Sequence, residues 1–238
     1  VSNNTNGKIP IIVEKPISPN LVMILINAVY FHGNWRNQFD EKSTGDDEFT
    51  LLDGSKTSCK MMSQEKRFRY FENDSFQAVD LPYGDGAFSM IVFLPKPGVH
   101  VDNLIGRFDK DSLGELLGNL VMSNGTIYLP KFKLEYESDL SSILASLGMD
   151  IAFSADADFS GINKEGLIFI SFVKHKTFIE VDEKGTEAAA VTIVGMVTSV
   201  RPTESFVMRV DRPFLLLIRE NHSQTILFMG RIVEPTTG

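Results

Sequence analysis

From Leu21 to Phe31 the chain reads Leu-Val-Met-Ile-Leu-Ile-Asn-Ala-Val-Tyr-Phe, with Asn27 as the one strongly polar residue. A strand buried on both faces has this pattern. A short buried helix shares it, because a continuous apolar run carries no periodicity to separate the two. Either way the run needs a core around it. Composition permits one: 43% of the 238 residues are apolar and 23% charged, with 10 Pro and 18 Gly. Disordered, collagenous and coiled-coil chains have quite different compositions. The run is also too short to span a bilayer.

Strand signals dominate the rest. Phe49 to Leu52 and Lys56 to Met62 flank Asp53-Gly54, a dipeptide favoured where a hairpin needs positive φ. Phe76 to Tyr83 and Ala87 to Leu94 flank Gly84-Asp85-Gly86 in the same way. Between Val101 and Leu120 the period changes: Leu104, Ile105 and Phe108, then Leu113, Leu116, Leu117 and Leu120, recur at helical spacing. Strand resumes around Pro130, and Leu140, Ile143, Leu144 and Leu147 form a helical face between a Ser138-Asp139 cap and a Gly148 stop. Val173, His175, Thr177, Ile179 and Val181 share one face of a later strand, and Phe214 to Ile218 with Thr225 to Met229 make a last hairpin. No repeat or Pro/Gly/Ser linker divides residues 1–238, so they read as a single α+β domain with mainly antiparallel strands.

Several chemistries lack support. Thirty-one acids against 23 bases give a net charge of −8, so nucleic acid is not an expected partner, and neither is a membrane. One cysteine, Cys59, rules out an internal disulfide and a multi-thiolate zinc site. The motifs GxSxG, HExxH, GxxxxGK[ST] and GxGxxG do not occur, and no cofactor is implied. Asp156 to Gly161 opens like a calcium loop, but Leu167 stands where the bidentate carboxylate belongs. Lys56, Lys60, Lys66, Arg67 and Arg69 form a basic cluster best read as a solvated face. Asn27 and His175 are polar groups on apolar strands, and a structural hydrogen bond satisfying both is the expectation. Four N-x-[ST] sequons, at Asn3, Asn73, Asn124 and Asn221, lean toward glycosylation and an extracellular setting, without excluding the cytoplasm. The start, Val1-Ser-Asn-Asn-Thr-Asn-Gly, has no initiator Met and reads as an interior point of a longer protein.

The unusual segment runs from Glu183 to Glu204. From Ala188 to Val200 it carries no charge, no Pro and no large aromatic, and Thr186, Ala188, Ala190, Thr192 and Val194 alternate as small uncharged residues on one face. Such a strand can slide into a sheet without clashing with the core beneath it. Left exposed, it is an aggregation hazard. Tolerance of that hazard points to insertion as its purpose.

Here the sequence resembles the serpin family. Glu183-Lys-Gly-Thr-Glu-Ala-Ala-Ala190 is similar to the hinge of an inhibitory reactive-centre loop, which would span about 183–205. Leu25-Ile-Asn-Ala-Val-Tyr-Phe-His-Gly-Asn-Trp35 is similar to the third strand of the central sheet. Leu129-Pro-Lys131, Asp211-Arg-Pro-Phe214 and Phe228-Met-Gly-Arg-Ile-Val-Glu-Pro235 follow in family order. The resemblance implies a multi-sheet fold whose N-terminal helical part is missing from this chain and would be its partner. It implies Asn27 and His175 as the shutter pair, Trp35 at the breach, and a contact between Glu183 and Lys131 at the loop base. The hinge would comprise Glu183, Gly185, Thr186, Glu187, Ala188, Ala189 and Ala190, with Thr186 first to enter the sheet. None of these residues is catalytic.

The implied function is suicide inhibition of a serine protease, through an acyl-enzyme trapped when the cut loop inserts. Family spacing from Glu183 selects Ser199-Val200 as the reactive bond. Arg201 is a rival, but it precedes Pro202. The small neighbours Val197 and Thr198 suit an elastase-like pocket, and Met196 an elastase-like or chymotrypsin-like one. The alternative is a non-inhibitory carrier or chaperone of the same fold. A heparin-type polyanion stays open, because the helix that often binds one in this family lies in the missing portion.

Overall fold

The computed structural model describes residues 1–19, 21–106, 108, 110–164, 168–186 and 205–236, the side chains of 110–112 excepted. In chain order the first strands are β1 (Met23–Tyr30), β2 (Gly33–Asn34), β3 (Gly45–Thr50), β4 (Lys56–Glu72), β5 (Phe76–Tyr83) and β6 (Phe88–Pro95). Two helices follow, α1 (Asp102–Ile105) and α2 (Lys110–Gly118). Then come β7 (Val121–Pro130), β8 (Phe132–Asp139), α3 (Ser141–Leu144), β9 (Ile170–Val181) and β10 (Gly185–Thr186). The last strands are β11 (Phe206–Arg209), β12 (Phe214–Glu220) and β13 (Ile226–Ile232). Among the described residues no helix is long and apolar enough to cross a membrane.

These residues group into two compact units, one of Val1–Phe31 with Leu134–Ile179 and the other of His32–Lys133 with Glu180–Gly238. The first unit holds a three-stranded sheet in the order β1-β9-β8. Strands β1 and β9 run parallel in direct register, from Met23 opposite Ile170 to Tyr30 opposite Phe178. Ile9, Ile12 and Phe178 form its core, with Ala28 and Tyr30 packed against them. Glu137 of β8 takes Lys174 and Lys176 of β9 at 2.6 and 3.3 Å.

The expectation of a doubly buried strand at Leu21 to Phe31 is corrected here. The apolar cluster covers only the C-terminal half of β1, and among the described residues the strand has a partner on one side only. Leu25, Ile26 and Asn27 are therefore exposed. The helical face at Leu140 to Leu147 is likewise uncovered: Asp139 Oδ1 caps α3 by accepting from Ser141 N at 2.9 Å and Gly148 turns at φ 99°, yet Ile143 and Leu147 face outward.

The second unit is built on an eight-stranded sheet, β11-β7-β4-β5-β6-β12-β13 with β3 alongside β4. Its centre is buried on both faces, which explains the dense apolar runs of β6 and β12. One face carries Phe76, Ala78, Ile91, Phe93, Leu215 and Leu217 against Leu104 of α1 and Leu113 and Leu117 of α2. Each of the Phe, Ile and Leu side chains contributes about 1.5–3 kcal/mol on burial. On the other, Phe214 meets Phe49 and Phe132 edge to face at 6.5 and 5.8 Å.

The 17-residue β4 pairs with β3 through Lys56–Met61, with β7 through Met61–Tyr70 and with β5 through Arg69–Glu72. Both hairpin turns fall where the glycines place them, with Gly54 at φ 84° and Gly86 at φ 91°. Cys59, on β4, is buried, and that burial pushes its thiol above the ordinary range.

Candidate functional site

The segment after β9 is held by its backbone. The carbonyls of Asp182, Glu183 and Lys184 accept from Trp35 Nε1 (2.9 Å), Phe39 N (2.8 Å) and Trp35 N (2.9 Å) in turn. Asp182 also closes the turn on itself: its Oδ1 accepts from Lys184 N and Gly185 N at 2.9 and 3.0 Å, and its own N donates to Gly185 O at 2.9 Å. An aspartate three residues before a glycine suits such a turn. Gly185 sits at φ 152°, and a Cβ there would lie 2.2 Å from Gly33 O. Only glycine fits.

Beyond the turn, Gly185 and Thr186 pair antiparallel with Asn34 and Gly33. Thr186 is fully buried, and its Oγ1 shares a 2.9 Å hydrogen bond with the Tyr83 hydroxyl. Burial pushes the Tyr83 phenol well above its ordinary range, the Thr186 bond pulling the other way, so the hydroxyl keeps its proton. Trp35 stacks on Tyr83 with ring centroids 4.4 Å apart and meets Phe39 edge to face at 6.4 Å.

Glu183 is anchored through both oxygens. Oε1 accepts from Thr44 Oγ1 and Oε2 from Lys131 Nζ, each at 2.8 Å. Lys131 is itself fixed by its backbone N donating to Lys60 O at 2.8 Å. Burial pushes the Glu183 carboxyl up, but the bonds from Lys131, from its own backbone and from Thr44 outweigh this and hold it below the usual glutamate range.

The structure thus brings Trp35, Lys131, Glu183, Gly185 and Thr186 to one place. Glu187 to Ala190, Ser199, Val200 and Arg201 lie outside the described residues. Asn27 and His175 are register partners on β1 and β9, but the hydrogen bond expected between them is not made. Asn27 is exposed, and His175 Nδ1 is buried with no hydrogen-bond partner among the described residues.

Of the sequons, Asn3 and Asn73 are exposed, while Asn124 lies mid-strand opposite Arg67. Asn221 is turned inward: its Nδ2 donates to Gly86 O at 2.9 Å and Ser89 Oγ at 2.8 Å, so it is not presented for modification. In the basic cluster, Lys56, Lys60 and Arg69 are matched by Glu48, Asp46 and Asp80. Sequence reasoning missed Tyr83, Phe39, Thr44 and Asp182. Only the Asp182 turn had a local signal; the others act from distant parts of the chain.

The family model described as Serpin (serine protease inhibitor) matches residues 1–235. This chain belongs to the serpin family. Its relatives include an uncharacterised serpin-like protein of Thermococcus kodakarensis, 37% identical over 240 residues, which cover 100% of this chain and 55% of that protein. The leukocyte elastase inhibitor of Equus caballus is 37% identical over 246 residues, covering 99% and 64%. Intracellular coagulation inhibitor 2 of Tachypleus tridentatus is 37% identical over 238 residues, covering 98% and 58%. The chain thus spans under two thirds of the length of these serpins. Among solved structures, the thermophilic serpin tengpin in its native state superposes with TM-score 0.86 at 34% identity, over 98% of this chain and 60% of that one. Thyroxine-binding globulin complexed with thyroxine gives TM-score 0.86 at 28% identity, over 99% and 62%. The multi-sheet α+β fold is therefore the serpin fold.

Proposed function

We propose that the full-length protein inhibits an elastase-like or chymotrypsin-like serine protease as a suicide substrate, and is not itself an enzyme. Residues 1–238 form part of one serpin domain, and the missing N-terminal part completes it. The protease attacks the Ser199-Val200 bond with its own nucleophile and forms an acyl-enzyme. The cut loop then folds back from β9 as a new strand of the central sheet, and the distorted protease cannot complete hydrolysis. β1 and β9 ladder directly in the present state, so opening that ladder admits a strand bonded on both sides. Asn27 and His175, opposite each other there, are the shutter; Trp35 marks the breach.

The observation that carries this reading is Thr186, already buried in a short antiparallel pair with Gly33 and followed by Ala188 to Ala190. A carrier protein has no need of a hinge that small. The leukocyte elastase inhibitors among the relatives support the target class, and the exposed sequons at Asn3 and Asn73 support an extracellular setting.

Mixing the full-length protein with an elastase-like protease should give a covalent complex stable to denaturant and a released peptide beginning at Val200. Thr186→Arg should convert the inhibitor into a substrate, since a charged side chain cannot enter the site now filled by a buried hydroxyl. Complete cleavage of the unaltered protein without a covalent complex, or full inhibition by the variant, would overturn the mechanism.

A further inference from the structure

Strand register puts Asp80 of β5, Ser89 of β6 and Arg219 of β12 on the sheet face that carries Ala78, Ile91 and Leu217, just past the core covered by α2. There the face opens into a cavity of about 570 Å³ lined by Arg36, Arg67, Arg69, Asp80, Ser89 and Arg219. Among the described residues the lining carries four guanidinium groups and one carboxylate. That excess positive charge is unusual in a chain of net charge −8.

Two of these groups have unused hydrogen-bonding capacity. Arg219 is 5% exposed and its buried Nε has no hydrogen-bond partner among the described residues. Asp80 is 6% exposed; one carboxylate oxygen takes Arg69 Nη1 at 3.4 Å, and the buried Oδ1 has no hydrogen-bond partner among the described residues. Burial raises the Asp80 carboxyl, opposed by a hydrogen bond with the Ser89 hydroxyl and by the charges of Arg69, Arg219 and Arg36. The wall therefore offers an N–H donor on a cation and a carboxylate acceptor. Each is costly to leave unmatched in a buried site.

An occupant must accept from Arg219 and donate to Asp80. Hydrogen phosphate does both: its charged oxygens suit planar guanidinium groups, and its one P–O–H can donate to the carboxylate. Sulfate carries no proton at neutral pH and would set an oxygen lone pair against Asp80. The cavity is within the size range of small-molecule sites. We propose that this cavity binds hydrogen phosphate, with Arg219 and Arg69 as its cationic ligands and Asp80 as the acceptor that selects a protonated oxyanion.

Calorimetric titration of inorganic phosphate into the full-length protein at neutral pH and low ionic strength should show saturable binding. Sulfate should bind at least about tenfold more weakly, the equivalent of one charged hydrogen bond. Arg219 is inside the core and its replacement risks unfolding, whereas the Arg69 side chain is 40% exposed. Arg69→Gln should weaken phosphate by about tenfold or more, and Asp80→Asn should narrow the preference over sulfate, because an amide can donate to it. No saturable heat, meaning that solvent fills the cavity, would overturn the assignment. So would equal affinities for phosphate and sulfate, or unchanged phosphate affinity in Arg69→Gln.

Discussion

Gly185 and Glu183 hold the loop base by different physics. At Gly185 the constraint is steric, since an added Cβ meets the Gly33 carbonyl and the Asn34 Cα, both backbone atoms that cannot move aside. Gly185→Ala should lower stability by about 2–3 kcal/mol. Gly54→Ala, at φ 84° with nothing near its Cβ, should cost about 1 kcal/mol. Urea unfolding of both variants in the full-length protein measures the difference, and equal losses would remove the steric argument. At Glu183 the constraint is electrostatic. Its carboxyl is held below the value it has in the unfolded chain, so the stabilisation it supplies is complete above the ordinary glutamate range. As pH falls through the depressed folded-state value, that stabilisation disappears. Glu183→Gln should therefore flatten the acid limb of stability against pH, at a cost of about 1–2 kcal/mol at neutral pH. An unchanged acid limb would show that the Lys131 pair does not couple to folding.

At the scale of elements, β1 carries the sharpest consequence. It is an edge strand among the described residues, with Leu25 and Ile26 exposed at 40% and 45%. A flat apolar edge offers unpaired backbone groups to a second chain. The 238-residue chain produced alone should self-associate, and Ile26→Lys should reduce that association. Light scattering across concentration tests this, and a monomer at every concentration would contradict it.

The same strand shows where sequence reading stops. The hairpins at Asp53-Gly54 and Gly84-Asp85-Gly86 were legible because turn chemistry is local. Helical spacing located α1 and α2 for the same reason. Whether an apolar run is covered depends on what packs against it, and nothing in Leu21 to Phe31 encodes that. At the loop base, the family resemblance supplied Trp35, Lys131 and Glu183. Thr44 and Phe39, which bond to Glu183, and Tyr83 beneath Thr186 come from segments too far apart in sequence to be read. The inward turn of Asn221 is equally silent, since a sequon specifies residue types and not orientation.

For the whole molecule, a net charge of −8 coexists with local neutralisation. Lys56 and Lys60 of β4 are answered by acids on β3, and four arginines gather around the cavity that Asp80 lines. The single cysteine of the chain, Cys59, is buried inside the larger unit. Because burial raises its thiol, almost none of it is thiolate at neutral pH, and only the thiolate attacks electrophiles or disulfides. These 238 residues therefore present no exposed thiol to reagents. A cysteine introduced anywhere in the loop would be the one exposed thiol within these 238 residues, so in the 238-residue chain its modification rate would report that position alone.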